Sequence, residues 1–140
     1  MTSGVHWPPP ESLPKTLTVF PLSGAILLPR ARLPLNIFEP RYLNMTEAAL
    51  AGDGMIGMVQ PREIGAETFG NTASIYDVGC AGRITSFSET DDGRYLIELK
   101  GLCRFRVRSE LEMVDGYRRI KPDFQPYLSD LTDGDGEATE

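Results

Sequence analysis

His6 is the one histidine of this chain, and Lys15, Lys100 and Lys121 are its three lysines. A general base needs fixed geometry to a nucleophile or substrate. His6 lies in a proline-rich amino-terminal stretch that cannot hold it so by itself, and no lysine sits in a desolvating apolar context. The two cysteines, Cys80 and Cys103, are too few for a disulfide framework or a four-ligand zinc site, and they read as small buried hydrophobes. The segment GDGMIG places Gly52, Gly54 and Gly57 in a GxGxxG pattern. A dinucleotide site needs a strand, then the glycines, then a helix, so that phosphate meets a helix amino terminus. Here the order is helix, glycines, strand, and phosphate would face the negative end of the dipole. Asp133, Asp135 and Glu137 imitate the start of a calcium loop, but Ala138 stands where that loop needs glycine. These features predict a protein without catalytic residues, metal or cofactor.

Three arginines alternate on one predicted strand, Arg104, Arg106 and Arg108, and Arg118, Arg119 and Lys121 follow. Together they form the candidate patch for RNA. The competing reading is a solvated face paired with Glu98, Glu110 or Glu112 across the sheet. The charge balance favours the second. Residues 129–140 carry five acids and no base, and the rest of the chain is nearly neutral although the net charge is −6. No basic field exists to attract nucleic acid.

The elements that must position any site are mostly strands. Residues 1–15 hold Pro8, Pro9, Pro10 and Pro14 and are expected to form a flexible arm. Leu17 and Val19 alternate with Thr18 and Phe20 as in a strand bounded by Pro21. Residues 32–38 form a second extended piece, which Pro34 demotes to an edge or an irregular strand. A helix follows, with Pro40 in its first turn, an apolar stripe through Tyr42, Leu43, Met45, Thr46, Ala49 and Leu50, and Gly52 as its stop. Met55–Val59 is a short buried strand, and residues 61–74 are a loop. Beyond it, Ser74–Phe87 and Tyr95–Lys100 form a hairpin about Asp91-Asp92-Gly93, with Gly101 expected to break the return strand. Leu102–Val107 and Tyr117–Asp123 complete about six or seven short strands with one helix. The fold class is mainly β (α+β), a barrel or rolled sheet. The predicted domain spans 16–124, and 125–140 is an acidic tail or truncated linker. No run approaches the length of a membrane span, and MTSGVHWPPPESLPK lacks the apolar core of a secretory signal, so the expected location is cytoplasmic.

One stretch carries more. Phe20-Pro21-Leu22, Leu27-Leu28-Pro29 and Leu33 to Tyr42 (LPLNIFEPRY), followed by Met45, resemble the amino-terminal domain of bacterial-type Lon proteases. Gly79-Cys80-Ala81-Gly82-Arg83-Ile84 and Gly101 to Val107 resemble two later blocks of that family, and the resemblance covers about residues 16–122. It implies a PUA-like β-barrel of about six strands with one main helix. It implies non-enzymatic recognition of unfolded or partly folded polypeptides, with Lon or another protease as a further partner. The Lon ATPase and protease segments have no counterpart in a chain of this length. The resemblance therefore points to a stand-alone Lon-domain protein, or a fragment lacking the helical subdomain that usually follows. The alternative, from PUA-like barrels elsewhere, is RNA binding. In the signature Phe38, Glu39, Pro40, Arg41 and Tyr42, Glu39 and Arg41 are expected to anchor the helix start. Leu22, Ile26, Leu27, Leu28, Pro34, Ile37 and Phe38 are the candidate polypeptide-binding residues, being more apolar than loops require. Their plain alternative is core. The edge near Pro34 could also accept a peptide by strand addition.

Overall fold

Six strands and one long helix account for most of the residues that the computed structural model describes, 8–62 and 74–132. The strands are β1 (Leu17–Pro21), β2 (Arg32–Ile37), β3 (Met55–Val59), β4 (Val78–Glu89), β5 (Tyr95–Glu110) and β6 (Arg118–Asp123); the helix is α1 (Pro40–Ala51). Pairing runs β1–β3–β4–β5–β6 and returns from β6 to β1, so these five strands close into a ring. Only β1–β3 is parallel. β2 stands outside the ring, antiparallel to the first half of β5. The second half of β5 takes β6 on the same edge. The expected mainly β class with one main helix holds.

Two apolar clusters result. Leu17, Val19, Met55, Val59, Cys103, Phe105 and Ile120 belong to one, closed by Leu13, Phe124 and Leu131. Phe20, Ile56 and Met58 point the other way and join Tyr42, Met45 and Ala49 of α1 in the second. β3 is therefore buried at every residue, as its unalternating MIGMV pattern predicted. α1 starts with Pro40 in its first turn and ends at Gly52. Its buried face holds Tyr42, Met45, Thr46 and Ala49 of the expected stripe, whereas Leu43 is only partly buried and Leu50 is exposed; the Thr46 hydroxyl donates to the Tyr42 carbonyl at 2.8 Å.

β5 corrects one expectation. Gly101 does not break it; the strand runs through, with a register shift between Ala81/Gly82 opposite Leu102. The glycine answers to a crossing backbone instead. A Cβ at 101 would lie 2.0 Å from the Leu28 carbonyl oxygen. Leu28, Pro29, Arg30 and Ala31 form a turn there, closed by Ala31 N–H donating to Leu28 at 3.0 Å, with Arg30 left-handed at φ 71°.

The chain ends also differ in detail from their expected description. Pro10–Ser12 forms one 3-10 turn, and Leu13 is buried. Residues 125–131 form two short 3-10 turns kinked at Tyr127, packed against β5 with Asp130 and Leu131 buried. His6, Trp7, most of the 61–74 loop and residues 133–140 lie outside the described residues.

Candidate functional site

The signature stretch 20–42 wraps one end of the sheet and is pinned at each step. Leu22 N–H donates to the Val59 carbonyl at 3.1 Å. The Gln60 amide then brackets the loop, accepting from Gly24 N–H at 3.3 Å and donating to the Ala25 carbonyl at 2.7 Å. After the 28–31 turn, β2 runs back along β5 to Ile37. Glu39 caps α1 through its backbone, and Arg41 Nε meets Glu39 Oε1 at 3.0 Å. The Arg41 guanidinium stacks 4.7 Å above the Tyr42 ring, which itself packs 4.2 Å from Phe20. Glu39 and Arg41 thus pair with each other at the start of α1, and the Glu39 side chain makes no capping hydrogen bond.

This wrapping leaves a groove of about 350 Å³. One wall is β2, from Leu33 through Pro34, Leu35, Asn36 and Ile37 to Phe38. The other is Phe20, Leu22, Gly24 and Ala25, with Glu39 and Tyr42 at one end. Glu39 is the single charged residue of the lining, and Arg41 neutralises it. A smaller cavity of about 150 Å³ opens on the far side of Ala25, between Ile26 and Leu27, Met58–Gln60 and Val78–Cys80. Ala25, held by Gln60, belongs to both.

The candidate residues divide by position. Leu22, Pro34, Ile37 and Phe38 line the larger groove, and Ile26 and Leu27 line the smaller cavity. Leu28 lines neither; its side chain is exposed while its carbonyl rests against Gly101. Ile26, Leu28 and Phe38 are 67%, 58% and 63% exposed, high values for such apolar side chains. Leu27 and Ile37 are buried in the core, at 5% and 1%. Sequence reasoning missed Phe20, Ala25, Leu33 and Leu35. The alternation of Leu33, Leu35 and Ile37 along β2 was the available signal.

The arginine patch disperses. Arg104 donates from Nε and Nη2 to the two Asp130 oxygens at 3.0 and 2.9 Å, and its backbone N–H adds a third bond at 2.9 Å. Burial pushes the Asp130 carboxyl up, but these hydrogen bonds and the guanidinium charge outweigh it and hold it below its ordinary value. Arg118 is buried and bonded bidentately to Glu110, while Arg119 donates to the Glu112 carbonyl. Glu98 binds Arg32. The partner expected for Arg104 among Glu98, Glu110 and Glu112 is therefore corrected to Asp130. Arg106, Arg108 and Lys121 remain exposed. Among the described residues, no three His, Cys, Asp or Glu side chains gather as metal ligands, and no helix is long and apolar enough to cross a membrane.

Residues 16–131 match the family model of the ATP-dependent protease La (LON) substrate-binding domain. Among curated relatives, Lon protease 2 of Myxococcus xanthus is 30% identical over 97 residues, covering 69% of this chain and 12% of the relative. Lon protease 2 of Sorangium cellulosum is 27% identical over 116 residues, covering 81% of this chain and 14% of that protein. This chain thus spans only a small fraction of those proteases. A Lon N-terminal domain protein from Xanthomonas campestris superposes with a TM-score of 0.63 at 26% identity, covering 78% of this chain and 59% of that one. The N-terminal domain of a Mycobacterium avium complex Lon protease shares the fold with a TM-score of 0.62 at 14% identity, over 79% of this chain and 54% of that one. The chain belongs to the Lon substrate-binding domain family.

Proposed function

We propose that this domain binds unfolded or partly folded polypeptide segments without catalysis, and that apolar side chains of the bound segment enter the groove between β2 and residues 20–25. The observation that carries the reading is the groove itself, apolar and flanked by exposed Ile26 and Phe38. Exposed apolar patches of this kind mark interaction surfaces. The single charge of the lining is neutralised, so an uncharged apolar stretch enters without desolvating an unpaired ion. Family membership agrees, since the domain is the substrate-binding part of an ATP-dependent protease. Transfer of the bound segment to Lon or another protease follows as the downstream role.

Amide NMR of the labelled domain, titrated with an unfolded, apolar-rich polypeptide, tests the reading. Shifts should gather on residues 20–42, and Phe38→Ser should weaken binding several-fold while leaving the spectrum folded. A spectrum unmoved at tens of micromolar polypeptide would sink the proposal. So would shifts confined to Arg106, Arg108 and Lys121 on addition of RNA.

A further inference from the structure

The groove wall has an unusual composition: six consecutive residues, 33–38, line it. The face of a strand presents alternate residues, whereas an edge presents successive ones. The groove therefore runs along the edge of β2 that faces away from β5. β2 ends the order of the sheet, so among the described residues no strand pairs with that edge.

The main-chain groups on this edge can be assigned. Arg30 N–H donates to the Gly101 carbonyl at 2.8 Å, and Gly101 N–H donates to the Ala31 carbonyl at 2.8 Å. With Arg30 left-handed, this is a bulge of the G1 kind at a hydrogen-bonded position. Bonded and non-bonded pairs alternate along an antiparallel ladder. From the register, Leu33, Leu35 and Ile37 bond to β5 opposite Leu99, Ile97 and Tyr95. Arg32, Pro34 and Asn36 turn their main-chain groups to the groove. Pro34 has no N–H, so it costs the β2–β5 ladder nothing and removes the middle donor of the free edge.

We infer that the groove takes its occupant as an extended polypeptide strand added to the free edge of β2, and that Pro34 sets the strength of this pairing by leaving Arg32 and Asn36 as the donors at its two ends. This rests on the reading above and adds its geometry. Alternate side chains of the added strand reach Leu22, Phe20 and Tyr42. Its main chain meets the row of carbonyls of Arg32, Pro34 and Asn36. An edge with its central donor removed binds many sequences weakly and resists self-pairing.

The test uses the wild-type domain and a short blocked peptide, apolar at alternate positions, N-methylated at one amide at a time. Strand addition predicts that methylating every second amide weakens binding about ten-fold while the intervening amides matter little. Pro34→Ala, which restores one donor, should tighten the unmethylated peptide about five-fold. A wild-type domain that fails to bind any peptide overturns both this inference and the function it rests on. Binding with shifts on 20–42 but a flat methylation profile overturns strand addition alone. A wild-type dimer paired through β2 that peptide cannot disperse would give the edge to a second copy and overturn it as well.

Discussion

Asp130 shows what a single side chain does for this molecule. It is buried, yet charged, and three donors of Arg104 meet its two oxygens. One of those donors is a β5 backbone N–H, so losing the carboxylate strands a main-chain group as well as a guanidinium. The Arg104 guanidinium is also stacked 4.8 Å over the Tyr127 ring, which keeps the pair in one geometry. Asp130→Ala should cost about 2 kcal/mol, since hydrogen bonds to a charged group are worth more than neutral ones. The sign of the pH effect follows from the depressed carboxyl. Its stabilisation is complete above the unfolded carboxylate pKa of about 3.9 and is lost as pH falls through the lower folded value. Thermal melts between pH 5 and 2 should show the wild type losing more stability than Asp130→Asn, which has no proton to gain. Equal losses would show that the pair is not linked to folding. Nothing near Asp130 in sequence announces Arg104, which lies 26 residues away.

At the scale of elements, what was readable depended on how local its cause was. Pro40 and Gly52 bounded α1 because first turns and helix ends have residue preferences of their own. MIGMV and the Asp-Asp-Gly turn were equally local, and Gly93 has the positive φ of 88° that such a turn requires. Gly101 misled because its reason is the Leu28 carbonyl pressing on β5, a contact between distant segments. The groove was half visible for the same reason. Phe38 and Pro34 stand out as residues, but Phe20 and Leu35 become lining only once β2 is placed at the end of the sheet. The carboxy-terminal 3-10 segment belongs to this class too. Its acids suggested a solvated tail, yet Leu131 packs with Leu13 and Phe124, and the Tyr127 carbonyl accepts from Cys103 Sγ at 3.4 Å. Removing residues 125–140 should therefore lower the urea midpoint and uncover one end of the β5 core. An unchanged midpoint would mean that the segment rests on the sheet without contributing to it.

At the scale of the whole molecule, the five-stranded ring closes on itself, and its two thiols report how firmly. Cys80 and Cys103 sit on neighbouring strands of the ring, each in a different apolar cluster, and both are buried. Burial, with the Asp130 charge adding to it, pushes each thiol up to about 12. Only the thiolate attacks a disulfide reagent, so at pH 8 on the order of one thiol in ten thousand is competent while the domain stays folded. Unfolding restores an ordinary pKa and full access together. A ring of five paired strands has no free edge to fray within it, so neither thiol should react by a small local opening. Labelling at pH 8 should then be slow and equal for both cysteines, and should accelerate with urea along the slope of global unfolding. The variant lacking 125–140 separates the two positions: Cys103 loses the cover of Tyr127 and should label faster, while Cys80, walled by the α1 cluster, should keep the global rate. If Cys80 instead labels quickly and independently of urea in the intact domain, the smaller cavity that it lines beside Ile26 opens on its own. The rim bracketed by Gln60 would then be the moving part of the binding surface.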